Sequence, residues 1–388
     1  MEAIRTSIQK HHVEVMDLTQ KLYENPEIGG EEFFAHELLT SYLEDKGFSV
    51  ERNFIMETGF RASYGDPTSE VKIAFLAEYD ALPEVGHGCG HNLFQGFSVL
   101  AALGIQEVID IIGGQVLVIG TPAEENLGGK VLMDEAGVFN DLTACLMLHP
   151  STENKLGSAS SALQPLKFEF FGKSAHACHP EGSASALDAA ISTYTSIQFQ
   201  RQFMPKDSFI HGIVKHGGSA ANVIPAYAAL EYYFRAPTMN QALAMSEEAT
   251  RRAQSSAQGH GCTLQTSVYE CPYGDTVANL TLAEEMRKAM IYEGLENIQD
   301  FDWQNTGSTD VGAVSYRCPC LHAYIKIAEE DVLGHSVEMA NATVSPAGHK
   351  ALLNGAQALA QVAYTLYTNP EVRERSWQEL RDRLEEIG

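Results

Sequence analysis

The stretch AEYDALPEVGHGCGHN, residues 77–92, follows the largely apolar run VKIAFL and carries Glu78, Asp80, His87, Cys89 and His91. Carboxylate, imidazole and thiolate are the donors by which proteins hold divalent transition metals. Gly86, Gly88 and Gly90 alternate with the histidines and the cysteine, and their conformational freedom lets the backbone turn tightly enough for Cys89 and His91 to converge. Two more apolar runs end on similar residues: QVLVIGTPA leads into Glu124 and Glu125, and TACLMLH closes on His149. One strand-end acid alone is ordinarily a turn or capping residue. Three such ends at the carboxyl edge of one parallel sheet, where open α/β sheets bind their ligands, point to a metal site. Two adjacent carboxylates do not both stay ionised and unpaired. The pattern therefore divides their work, one binding metal and the other moving protons for hydrolysis by an activated water.

The elements that deliver these residues show as changes of period. The first 45 residues predict two helices broken by NPEIGG, the second (EEFFAHELLTSYLEDKG) with Phe34, Leu38, Leu39, Tyr42 and Leu43 on one face and Gly47 as a stop. Continuous apolar runs follow, VKIAFLAEY, QVLVIG and TACLMLH, with the helical stretch NLFQGFSVLAALGIQEVIDII between the first two. Such runs are strands buried on both faces, and their alternation with helix predicts an α/β fold with a mainly parallel sheet. From about Pro165 the order becomes strand (LKFEFFG), helix, strand (FIHGIVKHGG), strand (AYAALEYYFRAP), helix, strand (CTLQTSVYE). That βαββαβ order is the split motif of ferredoxin-like domains. The expectation is a discontinuous catalytic domain, residues 1–164 and 275–388, interrupted at 165–274 by an α+β lid and dimerisation domain. Its second part is expected to hold the helix TLAEEMRKAMIYEG, short strands near Ala313 and from His322 to Ile327, and a last helix from about Ser345 to Tyr367.

At 388 residues the chain is long enough for two separate cores. Its 51 acidic residues against 26 basic give a formal charge of -25, which repels nucleic-acid phosphates and anionic membranes, so neither is an expected partner. The N-terminus lacks an apolar signal core, and no unbroken run of about 18 apolar residues suggests a membrane span. Seven scattered cysteines, an odd number, fit reduced thiols rather than a disulfide framework. The expected location is the cytoplasm.

The order DALP, GHGCGHN, GTPAEE, strand-end His149, GKSAHA, ANVIP, FRAP, GSTDVG and GHS resembles, over essentially the whole chain, the di-metal aminoacylase and carboxypeptidase family of metallopeptidases. The HGCGHN form is similar to the amidohydrolase branch containing indoleacetyl-amino-acid and hippurate hydrolases. EYDALP with GSTDVG looks like aminobenzoyl-glutamate hydrolases and β-alanyl-lysine dipeptidase-like proteins. The resemblance implies Cys89, His91, Glu125, His149 and His335 as metal ligands, Glu124 as general base and acid, and Asp80 as a carboxylate that orients the ligands from behind. The wider family usually has a metal-binding histidine two residues before that aspartate, where this chain has Glu78. The departure moves ligation to the Cys89 thiolate, and His87 is not needed. Two divalent ions per chain are implied, zinc or manganese, with cobalt or nickel able to substitute. In the inserted domain the resemblance makes His176 the residue that polarises the scissile carbonyl, typically in a neighbouring subunit, so a homodimer is implied. Asn222 and Arg235 match positions that hold substrate, a guanidinium being suited to a carboxylate, and Ser308 and Thr309 line the same pocket. His179, His211, His216 and the cysteines at 145, 178, 262, 271, 318 and 320 are left with structural roles.

The function expected is metal-dependent hydrolysis of an amide bond in a small N-acyl amino acid or dipeptide. Two alternatives stand beside it. One makes Cys89 a thiol nucleophile with His91 as its base, and the other is a non-catalytic metal-binding scaffold. A scaffold needs ligands but no spare carboxylate such as Glu124.

Overall fold

A computed structural model of the 388-residue chain describes residues 1–304 and 307–387. The chain divides into two compact units. Met1–Ala159, the stretch from Thr276, and the chain from Thr309 onward form the first, and Ser160–Asp275 with Ser308 forms the second.

The first unit opens with α1 (Glu2–Glu24), α2 (Phe33–Asp45), β1 (Ser49–Arg52), β2 (Phe60–Gly65), β3 (Lys72–Ala77), α3 (His91–Ile112), β4 (Gln115–Gly120), α4 (Gly129–Glu135) and β5 (Ala144–Ser151). The second unit then contributes β6 (Ala162–Phe171), β7 (Ala175–His176), α5 (Ala186–Gln200), β8 (Phe209–His216), β9 (Val223–Ile224), β10 (Tyr227–Ala236), α6 (Met239–Gly259) and β11 (Thr263–Ser267). The first unit resumes with α7 (Leu280–Tyr292), α8 (Val311–Ser315), β12 (Cys320–Lys326), α9 (Val337–Thr343), α10 (Pro346–Thr368) and α11 (Pro370–Ile387).

The sheet of the first unit runs β1-β2-β4-β3-β5-β12. Its last four strands pair in parallel, and β1 and β2 join antiparallel at one end. Ile73, Phe75 and Ala77 of β3 enter a large core shared with α1, α3 and α10, whereas Ala74 and Leu76 enter a smaller one with Met133, Phe139 and Val311. Successive residues thus bury on opposite faces of the sheet, which is why IAFLA, residues 73–77, is apolar without interruption. By composition α3 is long and apolar enough to cross a membrane, but it is the buried central helix, packed on α1, α10 and the sheet.

Two local expectations are corrected. On α2 the buried stripe is Ala35, His36, Leu39, Thr40 and Leu43, while Phe34 is 39% exposed and Leu38 and Tyr42 line an open groove beside α1. Ala35, Leu39 and Leu43 enter the core at helical spacing, while Leu38 and Tyr42 pack partly buried at its margin. Ala313 lies in a short helix, α8, rather than a strand, since Val311 and Val314 enter the core at helical spacing.

The second unit has a four-stranded antiparallel sheet, β11-β6-β10-β8. On β10, Ala228, Leu230, Tyr232, Phe234 and Ala236 pack with residues of α5 and α6, and the alternate residues Glu231, Tyr233 and Arg235 take the other face. β8 is an edge strand carrying exposed Phe209, Ile213 and Val214.

Candidate metal centre

Beyond the end of β3 the chain buries Glu78 and Asp80 at 2% and 0% exposure. Asp80 Oδ1 lies 2.9 Å from His91 Nδ1, and its Oδ2 accepts the Glu125 N–H at 3.0 Å. His91 Nδ1 also faces the Asp80 carbonyl oxygen at 3.1 Å. Asp80 thus orients the ring through Nδ1 and turns Nε2 toward the cluster, where Glu78 Oε2 lies 3.2 Å away. His149, at the end of β5, repeats the arrangement: Nδ1 donates to the Pro150 carbonyl at 2.6 Å, and Nε2 points to Cys89 Sγ at 3.5 Å. Burial, with His91 nearby, depresses the His149 ring to about 3, so it is the neutral imidazole that metal ligation requires.

Two glycines make the convergence sterically feasible. Gly90 caps α3 at φ 92°, a left-handed conformation that side chains rarely adopt, and places Cys89 and His91 on either side of the turn. The Gly88 carbonyl accepts the His335 N–H at 3.0 Å, and a Cβ on Gly88 would press on the Ser336 backbone at 3.1 Å. That contact brings the distant GHS segment to the cluster, with His335 Nε2 3.5 Å from Glu125 Oε1.

The donor atoms form three overlapping groups: Cys89, His91 and His149; Cys89, Glu125 and His335; and His91, Glu124 and Glu125, each with its atoms within 4.8 Å of one another. Burial, reinforced by Glu78 and Asp310, holds the Glu124 carboxyl well above the usual carboxylate range. The backbone before it is strained, with Ala123 at φ 62°, and Glu32 Oε1 holds the Ala123 N–H at 2.8 Å. His91 Nε2 and Glu125 Oε1 are buried without a hydrogen-bond partner among the described residues. Lone pairs of nitrogen, sulfur and oxygen facing one another in this way fit a pair of divalent cations. His87 is buried at 1% exposure and belongs to none of the three groups.

The other candidate residues lie mainly in the second unit. His176 on β7 is opposite Val223 on β9, and the Asn222 carbonyl accepts the Ala177 N–H at 2.9 Å, so His176 and Asn222 share one small ladder. Arg235 Nη1 donates to Ser308 Oγ at 2.8 Å, and that hydroxyl donates to the Ser161 carbonyl at 2.8 Å. Thr309 belongs to the first unit, where its hydroxyl accepts the Val311 N–H at 3.4 Å.

Several neighbours of the centre were not foreseen from sequence. His322 and Tyr324 on β12 pack against His149 with ring centroids 5.8 and 5.7 Å away; the alternation in HAYIK was their only signal. Lys130, wholly buried, meets Glu78 and Asp310 at 2.5 and 2.7 Å.

No family model matches the chain. Over 385 residues it is 36% identical to the Xaa-Arg dipeptidase of Mus musculus, covering 95% of this chain and 89% of that protein. The chain belongs to the di-metal aminoacylase and carboxypeptidase family of metallopeptidases. Another relative of this metallopeptidase is a p-aminobenzoyl-glutamate hydrolase chain of Escherichia coli, 30% identical over 325 residues, which cover 78% of the present chain and 66% of the relative. Its fold is shared with a putative aminohydrolase from methicillin-resistant Staphylococcus aureus, at a TM-score of 0.79 and 19% identity over 95% of this chain and 99% of that one. It is shared too with a dinuclear metal-binding peptidase of the M20 family from Bacillus subtilis, at a TM-score of 0.66 and 20% identity over 92% and 98% of the two chains.

Proposed function

We propose that this metallopeptidase cleaves the amide bond of a small N-acyl amino acid or dipeptide, using two divalent ions, zinc or manganese, held by Cys89, His91, Glu125, His149 and His335. Metal-dependent amide hydrolysis is the chemistry of its family. The observation that carries the proposal is the convergence of Glu124 with His91 and Glu125, which sets a proton-handling carboxylate beside metal donors.

When bound, the ions supply a water of lowered pKa and polarise the substrate carbonyl. Glu124 takes the proton of the attacking water on its carboxylate and delivers it to the departing nitrogen. Arg235 grips a substrate carboxylate with its planar fork, assisted by Asn222, Ser308 and Thr309. His176 donates a hydrogen bond to the carbonyl oxygen as negative charge grows there. In this proposal His176 serves the centre of the partner subunit in a homodimer built through the second unit. The open β8 edge with its exposed Phe209, Ile213 and Val214 supports such an assembly, since pairing would cover unsatisfied backbone. The seven free cysteines support a reducing location, the cytoplasm.

The direct test screens a panel of N-acyl amino acids and dipeptides with metal-reconstituted protein. Turnover that disappears with a chelator and returns with zinc or manganese is the expected result. Turnover that survives metal removal but is abolished by thiol alkylation would replace this proposal with Cys89 nucleophilic chemistry, and no turnover on any member would favour a scaffold.

A further inference from the structure

We propose that Glu32 is a positioning residue for Glu124, acting through the strained backbone of Ala123 from the segment that joins α1 to α2. The inference rests on the reading of Glu124 as the proton carrier given above.

Residues 25–32, NPEIGGEE, separate the first two helices and reach the ends of two strands. Ile28 pairs with Ala81 in a parallel bridge, and the Glu27 carbonyl accepts the Ala81 N–H at 2.7 Å. The Gly29 carbonyl accepts a hydrogen bond from Asn126 Nδ2 at 2.9 Å. Gly29 has no room for a side chain, since a Cβ there would stand 2.8 Å from Ala123 Cα. Glu32 closes the segment, fully buried, with Oε1 accepting the Ala123 N–H at 2.8 Å and Oε2 accepting the Gly30 N–H and the Thr58 hydroxyl at 2.9 and 2.8 Å. Thr58 is itself fixed, its carbonyl accepting the Tyr79 hydroxyl at 2.5 Å.

The brace acts at Ala123. Its φ of 62° is left-handed, a conformation that a residue with a Cβ keeps only where its surroundings impose it. They do so from both sides: Glu32 takes its N–H, and its carbonyl accepts the Leu127 and Gly128 N–H groups at 3.1 and 2.9 Å. Relaxation to a φ of about −60° would turn the next residue, Glu124, out of its place beside His91 and Glu125. Glu125 has a separate anchor, Asp80 Oδ2 on its N–H at 3.0 Å. The two adjacent carboxylates are thus held by different acids, Glu124 through Glu32 and Glu125 through Asp80. Glutamine cannot stand in for Glu32. Donors face both of its oxygens, so an amide NH2 would meet an N–H at either Ala123 or Gly30.

The experiment compares wild type, Glu32→Gln, the double variant Glu32→Gln, Ala123→Gly, and Glu124→Gln. It records kcat and KM on the best substrate of the panel above, zinc affinity of the metal-free protein, and exchange of the Ala123 amide hydrogen. Expected for Glu32→Gln is a loss of about 10-fold to 100-fold in kcat, with faster exchange at Ala123 and with KM and zinc affinity near wild type because Glu125 keeps its own anchor. Adding Ala123→Gly should restore kcat by about 5-fold or more, since glycine takes a positive φ without strain. A residue that merely supported the fold would not be relieved at this one position. Wild-type kcat in Glu124→Gln would end the reading of Glu124, and this inference with it. If Glu124→Gln loses kcat while Glu32→Gln keeps both its kcat and its slow exchange, or if Ala123→Gly brings no recovery, the inference alone is overturned. A fall in zinc affinity large enough to account for the lost kcat would overturn it as well. Should Glu32→Gln not fold, Glu32→Asp, which keeps the carboxyl but draws it back by one methylene, takes its place with the same expected and contrary results.

Discussion

Asp80 Oδ1 stands 2.9 Å from His91 Nδ1, with both side chains buried, and the second oxygen of the same carboxylate holds the Glu125 backbone at 3.0 Å. One residue thus orients a ring on α3 and a loop after β4. Carboxylates that orient a ligand in this way commonly account for about 10-fold to 100-fold in metal affinity. Asp80→Ala is accordingly expected to weaken metal binding by about that factor while keeping the sheet intact, measured by titration of the metal-free protein. An unchanged affinity would remove Asp80 from this role.

Glu124 and Glu125 are adjacent but are expected to respond differently. Glu124→Gln should retain both ions and lose roughly 10²-fold to 10⁴-fold in kcat, the scale for removing a general acid or base. Glu125→Gln should lose metal first and activity as a consequence. Metal content by elemental analysis, set beside kcat for each variant, decides the matter, and the opposite pattern would exchange the two roles.

Glu32, which holds the backbone just before Glu124, offers a pH test. It is fully buried and accepts hydrogen bonds from the Gly30 N–H, the Thr58 hydroxyl and the Ala123 N–H. Burial, opposed by the Thr58 hydrogen bond, pushes its carboxyl from 4.5 up to about 7. The folded protein therefore binds this proton more tightly than the unfolded chain. Its contribution to stability is fully present below about pH 4.5 and is lost as pH rises through about 7. A shift of that size corresponds to about 3 kcal/mol. Denaturant unfolding of the metal-free protein should show wild type losing stability relative to Glu32→Gln across that window. Parallel curves for the two proteins would contradict it.

The proposed sharing of His176 between subunits is tested by mixing two inactive variants, His176→Ala and Glu124→Gln, under conditions that exchange subunits. Random exchange of equal amounts leaves one intact site in each mixed dimer and should restore about a quarter of wild-type activity. Ile213→Lys, at a position 56% exposed on β8, should separate the subunits in sedimentation with little effect on folding. Demonstrated exchange without recovery would confine His176 to its own chain or exclude it from the reaction.

Strand-end residues were open to sequence reading because the signal for them is local. A strand buried on both faces is continuously apolar, so the point where VKIAFLA, QVLVIG and ACLML stop is also where Asp80, Glu124, Glu125 and His149 begin. Alternation along β10 and the helical spacing of α3, α5, α6 and α10 are equally properties of neighbouring residues. The turn in GHGCGHN could be inferred from its glycines, and the inserted βαββαβ order from the succession of periods.

What sequence could not supply lies in contacts between residues far apart in the chain. Lys130 and Asp310 are 180 positions apart, and nothing in GGK or GSTDVG announces that one buries its charge against the other. Asp310 makes no side-chain cap on α8 because its carboxylate is committed to that lysine. The rotation of α2, the antiparallel addition of β1 and β2, and the docking of His335 on the Gly88 carbonyl are likewise decided by which surfaces remain to be covered once the parallel strands have assembled. Glu78 shows the division most plainly. In sequence it is one acid two residues before another. Only the fold places Lys130 on one of its oxygens and His91 before the other, because a buried charge takes its properties from the charges packed around it.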